Sequence, residues 1–312
     1  MITEALRWTE PVGNATITAV SGIEVGHWTD ERARTGCTVV LTPGNGCIAS
    51  GRVLGPAPGS RESVLLEPDR TVDRVHAVVL SGGSAYGLAA ACGTMDWLEE
   101  QGRGFETEFG LVPIVPAAVI YDLGEGDPKV RPGADAGRAA AEAAHTGPVA
   151  MGRVGVGTGA RISRLRDRGG AAPSGVGSYA VAWGGAVVGA LAVSNAVGSL
   201  VDPDDGSLVA GEADLVGLAA LSGGSVLPGT NTTLVVVATD AALTKSEAHA
   251  LSLAAHIGIA RVTRPSHTTG DGDTAFVLAT CDGPRLPLQA LSIAVQEVVA
   301  RALILGAKAA RS

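Results

Sequence analysis

Short β-like runs alternate with longer helical ones along this chain. Strand-like positions begin at Ile17 and Ala19-Val20 and resume at Thr38-Val39-Val40-Leu41, each run bounded by glycine or proline. Residues 75–80 form an apolar run that ends in Ser81-Gly82-Gly83, and residues 84–101 carry apolar side chains at helical spacings. The spacing predicts strand, glycine turn and helix. Residues 114–121 read as a strand before a polar loop containing Asp127-Pro128, and the alanine-rich residues 134–144 read as a helix. Residues 179–194 show two apolar runs about Gly184-Gly185, the pattern of a hairpin. A polar connection over 202–225, interrupted by apolar residues 215–221, leads to a regular C-terminal part. There, 232–239 reads as strand, 244–259 as a helix opened by a Thr-Lys-Ser-Glu capping box, 274–280 as strand and 287–305 as a long helix. No repeat of 20–50 residues is visible. The expectation is one α+β domain over 1–312, mostly antiparallel in its sheet and layered with helices.

Composition narrows the function classes. The chain has 46% hydrophobic and 17% charged residues, which opposes disorder, and 44 glycines, about twice the usual share. Glycine at that level suits tight turns and close-packed backbones. With 3% aromatics and a net charge of −8, neither base stacking nor attraction to phosphates is served, so no nucleic-acid partner is expected. Cys37, Cys47, Cys92 and Cys281 are scattered without CxxC spacing, which argues against a zinc site or a disulfide framework. The first ten residues have no apolar core for a secretory signal. Residues 181–193, taken as the most apolar stretch, are broken by Gly184, Gly185 and Gly189 and fall short of the roughly 20 residues of a membrane helix. A soluble, cytoplasmic protein with no membrane partner is expected.

Several segments carry candidate chemistry. Asn231-Thr232-Thr233 opens a buried-looking strand. Threonine favours strands in any case, and N-x-T is also a glycosylation acceptor, though no secretion signal accompanies it. The functional reading is cleavage before Thr232, whose new α-amine, with a pKa of about 7.7–8.0, would act as base for its own hydroxyl. Asp271-Gly272-Asp273 begins the next predicted strand; residues two apart share a strand face, so both carboxylates would point one way, although a solvated turn is the simpler reading. Asn195, at the end of the hairpin, is either a turn residue or an oxyanion donor. The loop Gly155-Val156-Gly157-Thr158-Gly159-Ala160 lacks the spacing of a dinucleotide fingerprint. Gly82-Gly83-Ser84-Ala85-Tyr86-Gly87 does not meet G-x-S-x-G, and residues 202–206 lack EF-hand ligand spacing. The six histidines are not clustered for a metal.

Taken together, these segments resemble a known family. Gly22-Ile23-Glu24-Val25-Gly26-His27, Thr35-Gly36-Cys37-Thr38-Val39-Val40, Leu80-Ser81-Gly82-Gly83-Ser84-Ala85-Tyr86-Gly87-Leu88 and Val115-Pro116-Ala117-Ala118-Val119-Ile120-Tyr121-Asp122 are similar to the DmpA-type L-aminopeptidase/D-amidase-esterase family, which includes the nylon-oligomer endo-hydrolases. So are the glycine loop at 155–160, Ser194-Asn195-Ala196-Val197-Gly198, residues 231–240 and Gly270-Asp271-Gly272-Asp273-Thr274, and the likeness spans residues 17–306 in the family's order.

The resemblance implies an αββα sandwich of N-terminal-nucleophile type, cleaved between Asn231 and Thr232 into an α chain (1–231) and a β chain (232–312). It implies Thr232 as nucleophile, where DmpA-like aminopeptidases have Ser and nylon hydrolases have Thr. Asn195 falls at the oxyanion position, and Asp271 and Asp273 fall where nylon hydrolases carry two acids. Tyr121 matches a tyrosine that lines the site. A homo-oligomer, such as a tetramer, is implied as well. Arg164 stands where nylon hydrolases have an active-site Lys; arginine stays protonated and cannot serve as a base, so it is left out of the catalytic set. No metal or organic cofactor is called for. The expected activity is hydrolysis of an amide or peptide bond through an acyl-enzyme on Thr232. An acyltransferase on the same scaffold and an unprocessed binding protein are the rivals.

Overall fold

The computed structural model describes residues 14–163, 171–212 and 229–312. The first ten residues, Arg164 and the apolar stretch at 215–221 lie outside the described residues. Two sheets stack face to face. The first runs β1 (Glu24–Asp30), β2 (Thr35–Leu41), β6 (Ala77–Ser81), β9 (Ala117–Val119) and β4 (Ser60–Arg61). The second runs β12 (Val176–Trp183), β13 (Ala186–Asn195), β16 (Thr232–Thr239), β18 (Thr274–Ala279), β3 (Cys47–Val53) and β5 (Arg74–Val75). Small pairings complete the strands: β7 (Phe105–Thr107) with β8 (Gly110–Val112), β10 (Arg161–Ile162) with β11 (Ala172–Pro173), and β14 (Ser199–Val201) between β15 (Leu208–Ala210) and β17 (Thr263–Arg264). The β6–β9 and β16–β18 pairs are parallel and the other named pairs antiparallel.

Helices cover both outer faces. Helices α1 (Ala90–Glu100) and α2 (Ala134–Glu142) pack on the first sheet through Cys37, Val39, Leu41 and Val79. Helices α3 (Lys245–Val262) and α4 (Leu288–Ala309) pack on the second through Val188, Ala190, Val235, Val237 and Val277. Between the sheets lie Val40, Leu80, Leu191, Val193, Leu234, Val236 and Phe276. This is the four-layer αββα order, and it explains the composition of the central strands. Both faces of β16 are buried, so the sequence Thr-Thr-Leu-Val-Val-Val-Ala-Thr is apolar without alternating.

The Gly184-Gly185 turn joins β12 and β13 with both glycines at positive φ, 60° and 84°, as a two-residue hairpin of the twisted kind requires. Thr244 caps α3, exchanging hydrogen bonds with Glu247 in the expected capping box.

Other readings change. Ile17–Ala19 is a 3₁₀ turn, closed by Ala19 N–H on the Thr16 carbonyl at 2.8 Å and anchored by Ile17 N–H on Ser178 Oγ. Ile17, with Val20 just after the turn, fills the interlayer core from a position where strand propensity has no say. The helix predicted from Ser84 starts as a 3₁₀ run, Ser84–Ala89, before α1. β1 and β3 escape the apolar pattern because polar residues fill them, Glu24, His27, Thr29 and Asp30 in β1 and Ser50 and Arg52 in β3, and each also carries a glycine at a close approach. A Cβ on Gly26 would lie 2.0 Å from the Ala140 carbonyl oxygen of α2, and one on Gly51 would lie 2.9 Å from both the Ala275 carbonyl and a Leu66 methyl. The longest apolar element is α4 rather than residues 181–193. It is long and apolar enough to cross a membrane, yet Leu291, Val295, Val298, Leu303 and Ile304 are buried against the second sheet.

The α1–α2 contact rests on reciprocal glycines. A Cβ on Gly93 would lie 1.8 Å from the Ala134 carbonyl oxygen, and one on Gly137 would lie 1.8 Å from that of Ala90. Gly137→Ala is expected to destabilise the fold by about 1–3 kcal/mol despite the higher helix propensity of alanine, measured by urea unfolding. A gain in stability would show that the helices separate freely.

Candidate active site

β13 ends at Asn195 and β16 begins at Thr232, and these residues are direct partners across the antiparallel pair. β18 runs parallel to β16, so the residues just before it, Asp271 and Asp273 among them, arrive at the same sheet edge. A bridge between Asn231 and Asp271 continues that parallel register beyond the strands. Thr232 shares a strand face with Leu234 and Val236, both part of the interlayer core. It stands at the rim of that core and is 3% exposed.

The peptide bond between Asn231 and Thr232 is held on several sides. Thr232 Oγ1 donates to the Asn231 carbonyl oxygen at 2.5 Å, and the Gly272 N–H donates to the same oxygen at 2.9 Å. A carbonyl bond is about 1.23 Å long, so the hydroxyl oxygen lies within about 3.7 Å of the carbonyl carbon. The Thr233 N–H donates to Asp273 Oδ1 at 2.6 Å. Asn195 Oδ1 accepts from the Arg161 N–H at 3.0 Å, which fixes its amide orientation. Its Nδ2 therefore points at the carbonyls of Tyr121 (3.2 Å) and Thr230 (3.3 Å). Gly272 is required by space: a Cβ there would lie 2.9 Å from Thr232 Oγ1 and 2.7 Å from the Ala57 carbonyl.

The two acids flank Gly272 just ahead of β18, where the Asn231–Asp271 bridge continues the parallel register. β18 starts at Thr274, the turn lies at 269–270, and each of the two carboxylates takes its own donors. Asp273 Oδ2 meets His267 Nδ1 at 2.7 Å and accepts the His267 N–H at 3.2 Å. His267 Nε2 faces the His256 carbonyl at 3.3 Å, so both ring nitrogens face acceptors, the arrangement that suits a protonated ring. Burial works against that charge, but the hydrogen bond and charge of Asp273 outweigh it and raise the His267 pKa. Asp271 is raised as well, first by burial and then by the charge of Asp273, against the pull of the Thr268 N–H at 2.6 Å. Asp271 Oδ1 and Asn231 Oδ1 are both buried without a hydrogen-bond partner. His256, edge-on to His267 at 5.0 Å between centroids, is pushed down to about 4 by burial.

The first sheet contributes Tyr121, half-buried, just past β9. Its neighbour Asp122 is 2% exposed and accepts from Gly83 N–H at 2.6 Å and Thr35 Oγ1 at 2.7 Å. That clamp accounts for the turn after β6, where Gly83 and Ser84 take φ of 78° and 54°. The glycine loop at 155–160 is likewise a packing device: Gly155 and Val156 donate to Thr29 and Thr38 hydroxyls, and a Cβ on Gly155 would lie 2.3 Å from Thr38 Oγ1. Beside Asn195, Arg161 pairs with Glu125 at 3.2 Å. A pocket of about 210 Å³ opens along β18 and β3, lined by Pro58, Ser60, Val64, Leu66 and Phe276 among others. Among the described residues no group of three or more His, Cys, Asp or Glu is placed to hold a metal ion. Sequence reasoning names Thr232, Asn195, Asp271, Asp273 and Tyr121, and these do come together. It misses His267, His256 and the Gly272 N–H. A histidine six residues before Asp273 announces nothing until the turn folds it back.

The αββα sandwich, with a threonine at the head of a central strand, defines the N-terminal-nucleophile hydrolase class of fold. The chain belongs to peptidase family S58, whose model matches residues 15–312, and is a hydrolase of peptide or amide bonds. A Mycobacterium tuberculosis protein named as an uncharacterized aminopeptidase is 46% identical over 289 residues, covering 85% of this chain and 81% of that protein. A 6-aminohexanoate-oligomer endohydrolase from Paenarthrobacter ureafaciens is 30% identical over 272 residues, covering 83% of this chain and 73% of that protein. Among solved structures, the L-aminopeptidase D-Ala-esterase/amidase of Ochrobactrum anthropi, described as a variant of the same hydrolase fold, superposes with a TM-score of 0.72 at 21% identity. It covers 97% of this chain and 88% of its own.

Buried neutral histidines set an acid limit. His256 and His27 both titrate at about 4 in the fold, chiefly through burial, against about 6.5 in an unfolded chain. The unfolded state binds protons first, so their contribution is complete above about pH 6.5 and is lost as pH falls toward 4. Urea titrations at pH 7 and pH 5 are expected to show the stability drop, and His256→Gln is expected to shrink the difference. An unchanged pH dependence in that variant would move the acid sensitivity elsewhere.

Proposed function

We propose that the chain cuts itself between Asn231 and Thr232, giving segments 1–231 and 232–312, and that Thr232 then hydrolyses amide bonds of small peptides or oligoamides. The observation that carries this reading is the Thr232 hydroxyl, 2.5 Å from the carbonyl oxygen of its own preceding residue at a buried sheet edge. In the mature site the freed α-amine, near its ordinary pKa of about 7.7–8.0, takes the hydroxyl proton as oxygen attacks the substrate carbonyl, then returns it to the leaving amine. Asn195 Nδ2 stabilises the oxyanion, a contribution of about 2.7–4 kcal/mol at such sites. Asp273 holds the Thr233 N–H and so the orientation of the strand head, Asp271 adds negative charge beside the new ammonium, and Tyr121 closes the rim. The acyl-enzyme is released by water.

The relatives' names support a peptide or oligoamide substrate. The apolar wall of the neighbouring pocket supports a substrate with a hydrocarbon side chain or spacer. Four unpaired thiols support a reducing, cytoplasmic setting. The β7–β8 hairpin, with Phe105 54% and Phe109 94% exposed, supports assembly into a homo-oligomer.

Intact mass and N-terminal sequencing after incubation at neutral pH test the reading. Two chains are expected, the smaller beginning Thr-Thr-Leu-Val, with release of amine from amino-acid p-nitroanilides or 6-aminohexanoate oligomers. Thr232→Ala is expected to stay intact and lose turnover entirely. A processed, active Thr232→Ala protein would overturn the assignment, and an inert full-length wild type would favour a binding role. Asp273→Asn is expected to lower turnover about 10- to 100-fold by loosening the strand head, read as kcat/KM on the same substrates.

A further inference from the structure

We propose that the main-chain N–H of Gly272, rather than the side-chain amide of Asn195, stabilises the oxyanion of self-cleavage, and that the uncut segment keeps Asn195 engaged until the cut is made. This rests on the self-cleavage reading above. The oxygen that becomes negative in that step is the Asn231 carbonyl, and it already receives the Gly272 N–H at 2.9 Å. A donor in place before the reaction needs little reorganisation as the carbon turns tetrahedral. The N–H is also held still. The carbonyl of Asp271 accepts from the Ala57 N–H at 3.0 Å, that of Asp273 from the Leu54 N–H at 3.1 Å, and Ala57 and Pro58 crowd the Gly272 α-carbon.

Asn195 is differently employed. An amide carries two hydrogens, and those of Asn195 point at the carbonyls of Tyr121 and Thr230, the latter one residue before the bond to be cut. In the reaction, the Thr232 Oγ1–carbon bond forms while negative charge collects on the Asn231 oxygen beneath Gly272. The hydroxyl proton ends on the Thr232 nitrogen, the carbon–nitrogen bond breaks, and an ester joins Asn231 to Thr232 Oγ1. Water hydrolyses the ester, giving the Asn231 carboxylate and a Thr232 with free hydroxyl and free amine. Departure of residues 230–231 removes the Thr230 carbonyl from Asn195 Nδ2 and takes away an Asn231 side chain whose Oδ1 has no partner. The Asn195 amide is then open to a substrate carbonyl. One nucleophile thus works against two different donors, one for maturation and one for turnover.

Cell-free translation with glycolic acid in place of Gly272 exchanges that N–H for an ester oxygen without adding a Cβ. Self-cleavage of this chain is expected to be at least about 100-fold slower than wild type, followed by intact mass. Asn195→Ala is expected to cut itself within about tenfold of the wild-type rate while hydrolysing substrate at least about 100-fold more slowly. Asn195→Asp keeps the acceptor for the Arg161 N–H and replaces Asn195→Ala if thermal melting shows the latter unfolded. Cleavage of the glycolate chain at the wild-type rate, or a folded Asn195 variant that stays intact, would overturn the proposal. A wild-type chain that never cuts itself would instead remove the parent reading.

Discussion

The register of β16 between β13 and β18 is the constraint on which the site depends. One antiparallel and one parallel neighbour bring a strand end and two strand beginnings to a single edge, so Asn195, Thr232 and residues 271–273 meet at the ends of paired strands. The hydrophobic pattern alone is poorly suited to setting that register. With both faces buried and apolar, a slip of one residue would trade Leu234 and Val236 for Val235 and Val237 at modest cost in burial. The polar end supplies the difference. A slip would strip Asp273 of the Thr233 N–H and the Asn231 carbonyl of the Gly272 N–H, leaving buried groups unpaired at about 1–3 kcal/mol each. The polar groups gathered at this edge thus lock the strand in place.

The site gathers two acids, each 1% exposed, with no lysine among the partners described for them. Their charge is answered by main-chain N–H groups and by His267, itself half-buried. Such answers are directional and fixed in place. They hold a carboxylate at one orientation.

Much of this organisation is legible in the sequence. The strand at Thr232–Thr239, the hairpin about Gly184-Gly185 and the capped start of α3 each follow from short-range rules, and each lies where those rules put it. Four of the residues named for the site meet at one edge, and Tyr121 reaches Asn195 from the first sheet through its carbonyl. What the sequence hides is of two kinds. Gly26 in β1 and Gly51 in β3 stand where a neighbouring element passes too close for a Cβ, a fact of packing that leaves only an ambiguous glycine in the sequence. The Gly272 N–H and the His267–Asp273 contact are invisible for a related reason: a main-chain donor has no residue type, and His267 gains its partner only when the turn reverses the chain. Ile17–Ala19 shows the converse error, in which β-branched residues read as strand serve as a buried turn.

The place of Asn231–Thr232 at the head of a strand has a mechanical consequence. β16 is hydrogen-bonded on both sides, to β13 along its whole length and to β18 along most of it, so a break before its first residue opens no layer of the sandwich. It does change what holds the sandwich together. β13 and β16 would then belong to separate polypeptides, joined only by pairing and burial, and a tethered fold would become an association. Once unfolded, the pieces would have to find each other by diffusion, so recovery would depend on concentration and the native state would persist mainly through slow unfolding. An enzyme cut there would be made once, from a continuous chain, and would not be readily remade.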